Sequence, residues 1–150
     1  MLLIASVTVF AQEEDEAIEE LTEVPSLDDL LERPKDIKID RIDDFKNSSF
    51  DLYDKVIETR KAGEENGWPE QGVQIGEFSD EYLSLVKSTA LMAKEIKSVP
   101  KLKLIFATKN FAASKKAIAH SAAHIKYMRS QFSDEEWKEV EAKRAGGGGE

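Results

Sequence analysis

The stretch from about Lys101 to Gln131 constrains this chain most, because it forms one long helical pattern whose apolar residues occupy two separate sectors. Placed at about 100° per residue, Phe111, Ala122, Ile125 and Phe132 fall close to Ile118. Leu102, Phe106, Ala113, Ala117, Tyr127 and Met128 form a second apolar sector, and Lys101, Lys109, Lys115, Lys116 and Lys126 fill the sector between. A surface helix needs one apolar stripe, so a helix with two must pack against neighbours on two sides. A helical bundle provides that.

The rest of the chain extends the pattern. From Asp40, read as a cap, the residues Ile42, Phe45, Ser49, Leu52, Val56 and Ile57 keep three-and-four spacing up to Gly63. Ser79 is read as the cap of a further helix that ends near Val99, before Pro100. Ser133 to Glu136 matches the serine-to-glutamate capping box and opens a last helix through Trp137 and Val140. Between the first two of these helices, "GEENGWPEQGVQIGEF" carries Gly63, Gly67, Gly72 and Gly76, and reads as a long crossover loop packed down by Trp68. "SLDDLLERP" reads as a short helix capped by Ser26 and stopped by Pro34. No run alternates as a strand would. The expected fold is all-α: an antiparallel bundle of three long helices and one or two short ones, with the Gly/Trp/Pro crossover loop.

The N-terminal residues point to a compartment. Leu2 to Ala11 form an apolar and small-residue run that stops at an acidic stretch, with Val9 and Ala11 at the positions a signal peptidase reads. The run resembles secretory signals that end in Ala-Gln, although no positively charged residues precede it. Residues 1–11 are therefore expected to be a signal peptide, leaving Gln12 as the first residue of an exported periplasmic or extracellular protein with no transmembrane segment. Residues 12–25 read as an acidic flexible tail, 26–145 as the bundle and 146–150 as a flexible Gly-rich end.

The absence of cysteine removes disulfides, thiolate metal sites and cysteine nucleophiles. The two histidines, His120 and His124, are one helical turn apart, a spacing that allows both to meet one metal ion. A third ligand would have to come from another helix, with Asp51, Asp54, Glu58 and Glu95 as candidates. The metal-protease signature fails because Ser121 follows His120 and no acid lies between the histidines. The expected positions are at the boundary between the second apolar sector and the lysine stripe, half buried, with the rings bonded to carboxylates or water, so that replacing both by glutamine leaves folding nearly intact. The metal-binding bundle is the alternative. Ser121 beside His120 is no hydrolase signal, since neighbours along a helix point apart.

Charge is strongly segregated. Residues 96–132 contain eight Lys or Arg and no acid, whereas residues 1–60 contain seven bases and seventeen acids. Acidic faces of the helix from Asp40 and of the short helix near Asp28 are expected to lie across the basic helix. The functional counterpart is a stripe of Lys109, Lys115, Lys116 and Lys126 that meets an anionic protein or surface, nucleic acid being the weakest candidate in an acidic, exported protein. The expected function is binding or an accessory role, without catalysis and without a cofactor.

Overall fold

The computed structural model describes residues 18–147, so the segment expected to be a signal peptide, residues 12–17 of the expected acidic tail and residues 148–150 of the expected Gly-rich end lie outside the described residues. Four helices pack against one another: α1 (Asp40–Asn66), α2 (Gly72–Lys97), α3 (Lys101–Arg129) and α4 (Asp134–Gly147). There is no strand among the described residues.

The core is built from the periodic positions. Ile42, Phe45, Leu52 and Val56 of α1 meet Ile75, Phe78, Leu85 and Ile96 of α2 and Ala107, Phe111, Ile118, Ile125 and Met128 of α3. Burying each large side chain contributes about 1.5–3 kcal/mol. Ser49, Thr89, Ser114 and Ser121 are buried, and each donates its hydroxyl to the carbonyl four residues earlier, so none is left unsatisfied.

The glycine-rich stretch is not the expected crossover loop. Helix α1 continues through Gly63 to Asn66, α2 begins at Gly72, and only residues 67–71 separate them, part of them a 3-10 turn over Pro69–Gln71. The glycines serve close approach. The Trp68 ring lies directly on Gly63, where a Cβ would collide with it. Gly72 and Gly76, one turn apart on α2, receive Val140 and Arg144, also one turn apart on α4. Gly67 alone needs backbone freedom: with φ of 101° it ends α1, its N–H donating to the Gly63 carbonyl at 2.8 Å. Consequently Ser79 is no cap. It lies inside α2 and donates to the Ile75 carbonyl at 3.4 Å.

Residues 18–39 form a strap without a helix. The expected short helix at Ser26 is a single turn, in which Ser26 accepts from the N–H groups of Asp28 and Asp29 through its hydroxyl and carbonyl oxygens at 3.1 and 3.0 Å. Leu27 and Leu31 settle into a second cluster with Phe50, Tyr53, Ile57 and Ala117, which outweighs the few hydrogen bonds that a short helix would add. Asp40 does not cap α1, whose start has no side-chain cap. The buried Asp43 instead accepts from the N–H groups of Ile37 and Lys38 at 2.8 and 2.9 Å, holding Lys38 at φ of 65°. The capping box of α4 forms as read: Glu136 N–H donates to Ser133 Oγ at 3.1 Å and Ser133 N–H to Glu136 Oε1 at 2.8 Å.

Candidate functional site

The polar centre of the molecule lies where the strap crosses α1 and α3. Tyr53, on the buried face of α1, accepts at its hydroxyl from the Leu31 N–H at 3.0 Å and makes T-shaped contacts with both histidine rings, centroids 6.3 and 6.5 Å away. Arg60, two turns further along α1, donates through Nη1 to the Pro25 carbonyl and to His124 Nδ1, each at 2.9 Å. Its guanidinium lies 4.3 Å from the centre of the Tyr127 ring, and Glu64 accepts from both Arg60 Nε and the Tyr127 hydroxyl.

The histidines are not the half-exposed boundary residues expected from the pattern. His120 and His124 are 5% and 0% exposed, because the strap and α1 cover the sector that should have met solvent. The nearest charged partner of His124 is a cation, the reverse of a carboxylate. An arginine cannot accept, so Nδ1 accepts and the proton of the neutral ring resides on Nε2. Burial and the neighbouring Arg60 push the His124 ring down to about 4. Burial, followed by Lys116, also lowers His120. His120 Nδ1 and His124 Nε2 have no hydrogen-bond partner among the described residues.

Among the described residues no group of three or more His, Cys, Asp or Glu is placed to hold an ion. Asp51 and Asp54 turn to Arg33, at 2.8 and 2.9 Å, and Glu95 accepts from Arg41 at 2.6 Å. The Ser121 hydroxyl is buried and committed to the Ala117 carbonyl, so it is not presented to a substrate.

The lysine stripe is arranged differently from the expected face-to-face pairing. Of the acids of α1, Asp51 and Asp54 turn to Arg33 of the strap and Glu64 meets α3 at the Tyr127 hydroxyl, while α1 reaches α2 through Lys55–Glu81 and Arg41–Glu95. Lys109, Lys116 and Lys126 are exposed, and Lys115 is half buried with its ammonium 4.7 Å from the centre of the Phe111 ring. The start of the strap comes over the C-terminal half of the stripe. Glu19 and Leu21 border a cleft of about 340 Å³ with Lys115, Lys116, Ala119 and His120, and Ile18 to Leu21 border another of about 360 Å³ with Ala122, Ala123 and Lys126. Pattern reading missed the strap altogether. Its signal was present in Leu27 and Leu31, four apart and apolar, but that spacing is the same for a short helix and for two anchors of an irregular segment.

Among the described residues no helix is long and apolar enough to cross a membrane. Comparison with the models of known families, with curated proteins and with solved structures finds no match to this chain.

Proposed function

We propose that this chain is an exported, non-catalytic helical protein that acts by binding or as an accessory component, and that the basic face of α3 is its contact with an anionic partner. Its three long helices run antiparallel, as the short connections at 67–71 and 98–100 favour. The observation that carries the binding reading is that Glu19 borders one cleft with Lys115 and Lys116: an acidic segment comes over part of α3, which has no acid of its own. Glu19 and Glu20 border the clefts that Lys115, Lys116 and Lys126 line, while Lys109 near the other end of the stripe stays exposed.

Retention on a heparin column tests this. The chain beginning at Gln12 should elute at moderate salt, and changing Glu19, Glu20 and Glu23 to glutamine should raise the eluting salt concentration while keeping the strap seated. Changing Lys109, Lys115, Lys116 and Lys126 to glutamine should abolish retention. Retention that ignores both sets of changes would refute the reading.

A further inference from the structure

Helix α3 carries its second apolar sector to the N-terminal end, but nothing among the described residues covers it there. Leu102, Ile105 and Phe106 are 91%, 57% and 55% exposed. At i, i+3 and i+4 they form one contiguous face, continued one turn on by Lys109 and flanked by Lys101 and Lys103. Further along the same side, Ala117 and His120 are buried and Ala113 is half buried, under the strap. The strap leaves this line at its far end: Asn110 donates to the Lys35 carbonyl and Lys103 to the Ile37 carbonyl, and the chain then enters α1. The uncovered face is therefore a continuation of the core that stops being core.

The charges at this end break a local rule of helix design. The first turn of α3 has no acidic residue and no side-chain cap, only Pro100 ahead of Lys101 and Lys103. Lysines at the positive end of a helix dipole are unfavourable, and no carboxylate receives the leading N–H groups of the helix, of which that of Lys103 donates to the Pro100 carbonyl at 2.9 Å. Nearby compensation is missing too, since Glu95, the last acid of α2, is engaged by Arg41. Local rules broken without an internal gain mark functional surfaces.

We propose that this tip docks on the surface of an anionic phospholipid bilayer. Leu102, Ile105 and Phe106 enter the boundary between headgroups and acyl chains, and Lys101, Lys109 and the first N–H groups of α3 meet lipid phosphates. The shape favours a bilayer over a protein groove: a leucine 91% exposed stands clear of its neighbours, and a fluid interface accepts such a projection without a preformed pocket. A second copy fits less well. A two-fold contact through this face would oppose two sets of lysines, and α3 has no acid to pair with them. The inference rests on the anionic-partner reading above and moves the principal contact from the middle of the stripe to its N-terminal end.

The test is co-sedimentation of the chain beginning at Gln12 with vesicles of phosphatidylglycerol and phosphatidylcholine, against vesicles of phosphatidylcholine alone. Binding should be about tenfold stronger to the anionic vesicles and should weaken as salt shortens the screening length from about 10 Å towards 3 Å. Leu102→Gln with Phe106→Gln should reduce it about tenfold with unchanged circular dichroism, both side chains being exposed. Phe106→Trp should show a blue-shifted emission component on the anionic vesicles beyond that of the parent chain. Absence of binding to anionic vesicles overturns the proposal. Binding that survives the double change but is lost when Lys115, Lys116 and Lys126 become glutamine overturns the tip while leaving the anionic-partner reading intact. Self-association abolished by the double change, without vesicle binding, reassigns the face to a second copy. Binding of polyglutamate but not vesicles, dependent on Leu102 and Phe106, reassigns it to an acidic protein.

Discussion

Arg60 Nη1 donates to His124 Nδ1 at 2.9 Å, so a buried imidazole is fixed in its neutral form by a cation from the facing helix. Protonating that ring would place two positive charges in contact away from water. Folded His124 titrates near 4, against about 6.5 in the unfolded chain, so between those values the unfolded state binds the extra proton. Stability therefore falls as pH drops from 6.5 towards 4, by about 3 kcal/mol from this group. Urea unfolding midpoints measured across that range should decrease with acidification, and the slope should flatten in His124→Gln.

The same contact predicts a difference between two replacements of His124. Leucine leaves the half of Arg60 that faced the ring without an acceptor and should cost about 2–3 kcal/mol. Glutamine offers an oxygen within reach and should cost less than leucine by about 1 kcal/mol. Chemical denaturation of the two variants decides this, and a double change of His120 and His124 to glutamine in the same assay checks the expectation that such a replacement leaves folding nearly intact.

Gly63 and Gly76 should respond unequally to alanine. At Gly63 the new Cβ meets the face of a rigid indole, so Gly63→Ala should destabilise by about 1–3 kcal/mol. At Gly76 the obstacle is the flexible Arg144 side chain, whose Cδ would lie 2.7 Å away. Rotation of that arginine, together with the roughly 1 kcal/mol by which alanine surpasses glycine inside a helix, should bring Gly76→Ala close to neutral. Thermal unfolding of the pair separates a rigid from a yielding neighbour.

Lys38 is held at φ of 65° by the Asp43 carboxylate, a conformation that costs a side-chain-bearing residue about 1–2 kcal/mol. Lys38→Gly keeps the N–H that Asp43 accepts and relieves the strain. After the added flexibility of the unfolded chain, a net gain of about 0.5–1 kcal/mol is expected in equilibrium unfolding.

The contrast between Ser133 and Ser79 shows what the amino-acid sequence could disclose. Ser133 and Glu136 satisfy each other, and a pattern closed within four residues is legible without a partner. Ser79 is followed by equally suitable acids, but the helix continues through it because Gly72 and Gly76 are packed against Val140 and Arg144, residues far away in the chain. Glycine marks both a broken helix and a close approach, and the two differ only by what stands opposite. The histidines follow the same logic. Their angular position was legible, but their burial depended on a strap with no periodicity of its own. Leu102 and Phe106 reverse the case: periodicity placed them in an apolar sector, and the strap's departure left them in the open.

Because the strap is fastened by Arg60 to the Pro25 carbonyl, Asn110 to the Lys35 carbonyl and Lys103 to the Ile37 carbonyl, its anchorage spans large separations along the chain. The groups that hold it belong to α1 and α3 and come into register only when those helices have already docked. Closing such loops is entropically late, so the strap is the last part to organise and the first to open. Amide exchange at Leu31 would accordingly proceed through a partial opening that leaves the four helices assembled, and the buried imidazoles would meet water in that state without global unfolding.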